Sequence, residues 1–192
     1  MSQSSGWGFQ PPIEPTEPRR LEPAFPSATV RQTERDLDQV ARALGNSVGK
    51  VHLTAAQALI CTGDYQAALN HAEAAVVFGG RDAESLNTLG WLRYLEKDDQ
   101  GALSAFEEAL SRSPEHADVL YNQGMVCYSL GRREEAGRRW ERSIRAGNAQ
   151  PEVHNNLGVV RFAEGRTAEA ADLFQRALQI DPSYGEAREN LA

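Results

Sequence analysis

Apolar residues recur along most of this chain at helical spacing, in stretches of about a dozen residues split by short polar turns. The first such stretch runs roughly from Val30 to Leu44. Val30, Leu37, Val40, Ala41 and Leu44 fall on one stripe, Thr29 with Gln32 has the spacing of a capping box, and Gly45 suits a helix stop. From Gly49 onward the pattern repeats. Gly49, Ala83, Ala117, Pro151 and Gly185 each begin a unit 34 residues after the last, with no insertion. The eighth position of successive units holds Ala56, Gly90, Gly124 and Gly158, and the twentieth holds Ala68, Ala102, Ala136 and Ala170. The twenty-fourth holds Ala72, Phe106, Trp140 and Phe174, and the twenty-seventh Ala75, Ala109, Ser143 and Ala177.

Each unit thus predicts two helices split by a turn such as Gly63-Asp64, Gly131-Arg132 or Gly165-Arg166. Small residues at the eighth and twentieth positions let the helix backbones approach, and the large residue at the twenty-fourth is expected to fill the space between units. Pro114 and Pro182 stop the second helices, because proline cannot continue the hydrogen-bond ladder. One hairpin cannot bury its apolar face alone, so a fixed period of this length predicts stacked hairpins.

These residues resemble the tetratricopeptide repeat over residues 49–184. Leu89, Gly90, Ala102, Phe106, Ala109 and Pro114 stand where that pattern wants them, as do Leu157, Gly158, Ala170, Phe174, Ala177 and Pro182. The first unit departs at Ala72 and Gly80, and the third at Gln123, Gly137 and Asn148. A glycine inside a helix costs about 0.5–1 kcal/mol relative to alanine, so the third unit is expected to be the softest. The resemblance implies an all-α, right-handed α-solenoid of helix–turn–helix repeats, with units at 49–82, 83–116, 117–150 and 151–184. A capping helix is expected at 30–48, and residues 185–192 begin a further first helix as the start of a C-terminal capping helix.

The resemblance further implies that the first helices line a concave groove for a protein or peptide segment. On this chain the groove positions are Thr54, Asn87, Thr88, Trp91, Tyr94, Tyr121, Asn122, Met125, Tyr128, Asn155, Asn156 and Phe162. A carboxamide donates to a peptide C=O and accepts from a peptide N–H at once, so a row of them can hold an extended backbone without dictating its sequence. The aromatics and Met125 offer anchors. Relatives that clamp acidic chaperone tails use Lys and Arg on this face. Here Glu84, Asp118 and Glu152 stand there with Lys50, so a carboxylate clamp is not expected.

Charge and composition narrow the classes. The chain has 192 residues, 27 acidic against 20 basic, and a net charge of -7, which argues against a general nucleic-acid binder. No apolar run reaches the roughly 18 residues of a membrane span, and no secretory signal is visible at Met1-Ser2-Gln3-Ser4-Ser5-Gly6. Cys61 and Cys127 make neither a disulfide framework nor a multi-cysteine metal site, and a reducing, cytoplasmic setting is expected. His52, His71, His116 and His154 form no zinc-binding spacing, and no phosphate loop or nucleophile elbow occurs. No catalysis, metal or cofactor is expected. The run Arg132, Arg133, Arg138, Arg139, Arg142, Arg145 interleaves with Glu134, Glu135 and Glu141 and reads as a solvated helix face.

Residues 1–29 carry Pro11, Pro12, Pro15, Pro18, Pro23 and Pro26 and read as an extended or disordered tail. They also carry Trp7, Phe9, Ile13 and Phe25, expected to anchor the tail on another surface. The expected function is a non-catalytic interaction module acting as adaptor, assembly factor or secretion-type chaperone. The alternative is a scaffold that self-associates head to tail into a homo-oligomer.

Overall fold

A computed structural model describes Gln32, Asp36, residues 47–79 and residues 81–191. Among the described residues the protein is all-α, with nine helices and no strand. They are α1 (Val48–Thr62), α2 (Tyr65–Phe78), α3 (Ala83–Leu95), α4 (Asp99–Arg112), α5 (Ala117–Ser129), α6 (Arg133–Arg145), α7 (Pro151–Ala163), α8 (Thr167–Ile180) and α9 (Gly185–Leu191). The helix expected over 30–48 lies outside the described residues except at Gln32 and Asp36. Both are helical there, and the Gln32 amide donates to the Asp36 carboxylate at 2.9 Å.

The described helices divide between two compact units, one holding residues 47–149 and the other residues 150–191. In the first, α1/α2, α3/α4 and α5/α6 are antiparallel hairpins. Each second helix packs on the next first helix, and α3 lies between α1 and α5. In the second, α7 and α8 form a hairpin and α9 packs on both.

Local chemistry sets the hairpin turns. The fifteenth position adopts a left-handed backbone in all four repeats, at Gly63, Lys97, Gly131 and Gly165. Glycine enters that region without a Cβ clash, so three of the four turns use it, and Lys97 is the strained exception. The next residue caps the second helix. Asp64 accepts from the Ala67 N–H at 3.2 Å, and Asp98 from the Gly101 N–H at 2.9 Å. Arg132 and Arg166 stand at the same position and make no capping bond.

The core follows the repeat. Ala68, Ala102, Ala136 and Ala170 are completely buried, as are Phe106 and Trp140. The twenty-fourth residue does not simply fill space between units. It lies over the eighth-position glycine of its own hairpin. A Cβ on Gly90 would stand 2.6 Å from the Phe106 ring, one on Gly124 2.4 Å from the Trp140 indole nitrogen, and one on Gly158 2.6 Å from Phe174. The first repeat reverses both choices, with Ala56 at the eighth position and Ala72 at the twenty-fourth. The third hairpin is tied further by side-chain bonds to backbone: Trp140 Nε1 donates to the Tyr121 carbonyl at 3.1 Å, and Ser143 Oγ to the Ala117 carbonyl at 2.8 Å. A well-buried large side chain contributes about 1.5–3 kcal/mol, so Phe106 and Trp140 are principal stabilisers of their hairpins.

Candidate functional site

The second, fifth, sixth, ninth and twelfth positions of a first helix lie on or beside one face at helical spacing. In residues 47–149 this face runs across α1, α3 and α5. Thr54 is exposed, Thr88 and Met125 are buried, and Asn87, Trp91, Tyr94, Tyr121, Asn122 and Tyr128 are half-buried. In the other unit Asn155 and Asn156 are buried and Phe162 is half-buried. Trp7, Phe9, Ile13 and Phe25 lie outside the described residues.

The polar residues are arranged differently from a row of free carboxamides. Thr54 and Thr88 turn their hydroxyls back along their own helices, donating to the Lys50 carbonyl at 3.0 Å and the Glu84 carbonyl at 3.1 Å. Asn122 Nδ2 donates to Asn87 Oδ1 at 3.0 Å, joining α5 to α3. Asn190 Nδ2 donates to Asn155 Oδ1 at 2.9 Å, joining α9 to α7. Both bonds link the fifth position of one repeat to the sixth of the next. Gln57 Nε2 adds a third link, to Glu84 Oε1 at 3.2 Å. Sequence reading named Asn87, Asn122 and Asn155 but not these rungs, and it missed Asn190. The signal was an offset of one period plus one residue between asparagines.

The Asn87–Asn122 bond leaves the Asn87 amino group and the Asn122 oxygen for other partners, one donor and one acceptor side by side. The apolar side of the face is partly self-packed. Trp91 and Tyr94 meet with ring centroids 5.3 Å apart on α3, and Tyr128 leans on Trp140 at 5.7 Å. Lys50, Glu84 and Asp118 are exposed beside this face. The surface therefore offers peptide-backbone partners, aromatic area and a mainly negative edge.

Residues weighed for other chemistry have structural surroundings. His52 and His71 share a hydrogen bond between their Nδ1 atoms at 2.8 Å, and His52 also stacks on Phe78. Burial holds the His154 imidazole below its ordinary pKa, against an opposing bond to the Gln150 carbonyl. Cys61 and Cys127 are both free thiols, and burial pushes Cys127 up to about 11. Within the arginine run, Arg139 pairs with Glu135 at 3.5 Å, and Arg142 donates to the Pro114 carbonyl at 2.7 Å and to Glu115 at 3.0 Å. Outside the first-helix face, an open cleft of about 630 Å³ lies beside His154, Asp172, Arg176 and Ile180. Among the described residues no group of three or more His, Cys, Asp or Glu could hold a metal ion. No described helix is long and apolar enough to cross a membrane.

The sequence matches the family described as tetratricopeptide repeat over residues 53–114, 100–151 and 128–185, which together take in more than half of the chain. No curated protein matches it. Among solved structures, the crystal structure of MamA is 21% identical and superposes with a TM-score of 0.65, covering 84% of this chain and 98% of that one. YrrB, described as "a TPR protein with an unusual peptide-binding site", is 19% identical with a TM-score of 0.65 and 84% coverage of both chains. The APC/C hetero-tetramer Cut9-Hcn1 gives a TM-score of 0.74 at 18% identity, over 85% of this chain and 33% of that one. At these identities the likeness is one of fold.

Proposed function

Because the chain belongs to the tetratricopeptide repeat family, we propose that it is a non-catalytic module that holds an extended protein segment along its first-helix face. The observation that carries this reading is the Asn87–Asn122 pair, half-buried on the face that also carries Trp91, Tyr94 and Tyr121. Its unused donor and acceptor match one peptide unit, and the neighbouring rings offer anchors that need no fixed ligand sequence. The exposed Glu84 and Asp118 favour basic residues in the ligand. YrrB, of the same fold, is described as having a peptide-binding site, which supports the assignment. Adaptor, assembly factor and secretion-type chaperone are the roles this chemistry suits, in a reducing, cytoplasmic setting where two free thiols persist.

The test is a displayed library of unstructured peptides panned against the full chain. Selected peptides should lose about tenfold or more in affinity for Trp91→Ala combined with Asn122→Ala, since each lost anchor or buried bond is worth about 1–3 kcal/mol. Equal affinity with an unchanged circular dichroism spectrum sinks the assignment of this face.

One observation favours self-association as a second reading. Val77 and Phe78 at the end of α2 are 71% and 58% exposed. The same positions carry Ser111 and Arg112 in the second repeat and Arg145 and Ala146 in the third. Light scattering across concentration should show a larger species that Val77→Ser with Phe78→Arg abolishes. A monomer at all concentrations excludes this reading.

A further inference from the structure

The two asparagine rungs sit at the same register but in different surroundings. Asn87 on α3 and Asn155 on α7 each accept one carboxamide hydrogen bond from the next repeat. Helix α3 has first helices packed on both sides, yet Asn87 stays half-buried; Asn155 is only 3% exposed. At the sixth position Asn122 is half-buried, whereas Asn156 is 1% exposed. At the second, Glu84 and Asp118 are exposed, whereas Glu152 is half-buried. Val153 through Arg161 are buried without a break, which closes the whole circumference of α7. Flanking repeats bury Thr88 but leave Asn87 half-buried on α3, so the unbroken burial of α7 calls for an additional cover.

We propose that the cover is the chain's own N-terminal segment, docked through Trp7, Phe9 and Ile13 on the first-helix face of α7. Pro11 and Pro12 between them pre-extend the backbone and lower the entropy lost on docking. A segment with two large aromatics and an isoleucine gains by leaving water. Residues 14–46 form a long link between this segment and α1. The occupant shares an extended backbone with the ligand proposed above, although residues 1–17 carry Glu14 and Glu17 and no basic residue. The inference therefore rests on that reading and deepens it: the fourth repeat holds an internal ligand that a partner must displace, while the α3 and α5 face stays open.

The test places a thiol under the cover. Val159→Cys, at a position 3% exposed, is labelled with a maleimide in the full chain, and each cysteine is quantified by peptide mass spectrometry. Adding Trp7→Ala and Phe9→Ala should speed labelling at position 159 at least tenfold. Cys127 should stay protected, which reports that the repeats remain folded. A synthetic peptide of residues 1–17, added to the tail variant, should restore slow labelling. Labelling in the unaltered tail should not change on hundredfold dilution. Equal rates with and without the tail substitutions, no protection by the peptide, or protection that fades on dilution each overturn the proposal. Labelling reads occupancy of the face and not capture of a partner, so this inference and the peptide-binding reading can fail separately.

Discussion

Replacing Gly124 by alanine puts the glycine–aromatic interlock under direct strain. The new Cβ would stand 2.4 Å from Trp140 Nε1 and 2.7 Å from its Cδ1, where carbon contacts are ordinarily about 3.5–4.0 Å. The indole must therefore retreat by about 1 Å. It is completely buried, it donates to the Tyr121 carbonyl at 3.1 Å, and it packs on Tyr128, so retreat strains a hydrogen bond as well as the core. Overpacking costs about 1–3 kcal/mol and a weakened hydrogen bond about 0.5–1.5 kcal/mol. Alanine recovers about 1 kcal/mol of helix propensity. The net expectation is a loss of about 1–3 kcal/mol, read as a Tm lowered by roughly 3–10 °C for a chain of this size. A double-mutant cycle isolates the cause. Trp140→Ala alone should cost about 3–5 kcal/mol, and in that background Gly124→Ala should be neutral or stabilising by about 1 kcal/mol. Thermal and urea unfolding of the four proteins measure the cycle. The reasoning is refuted if Gly124→Ala is as stable as the parent, or if it costs the same whether or not Trp140 is present.

Arg132→Asp should stabilise the third repeat by about 0.5–2 kcal/mol in urea unfolding, because it restores the cap that Asp64 and Asp98 supply and removes a cation from a helix N-terminus. The buried Cys127 thiol, pushed up to about 11, should alkylate far more slowly than Cys61 in native protein at pH 8 and at a comparable rate after unfolding in urea. His154 is held neutral by burial, so its pKa is lower folded than unfolded. Its contribution to stability is complete above the ordinary value of 6.5 and is lost as pH falls below it, and His154→Gln should flatten that part of the acid unfolding profile.

Periodicity alone determined the helices. First helices begin at Ala83, Ala117, Pro151 and Gly185, each one period apart, because a 34-residue repeat of apolar spacing and turn residues specifies every hairpin locally. The left-handed turn was legible at Gly63, Gly131 and Gly165, since glycine there has a backbone reason, and illegible at Lys97, which has none. The pairing of small and large residues was visible as a pattern but not as a contact. Only three dimensions put Phe106 over Gly90 and Trp140 over Gly124, inside one hairpin. The candidate face divides in the same way. Its residues could be named from register, because helical spacing assigns each position a direction. Their chemical state could not, because that depends on neighbours distant in the chain. Asn122 meets Asn87 and Asn190 meets Asn155 across 35 residues, and Thr54 and Thr88 turn inward to their own backbones. Asn87 and Asn155 are the same residue at the same position of the repeat. Tertiary packing alone decides that one meets solvent and the other is covered, because burial belongs to everything packed around a side chain and not to its place in a period.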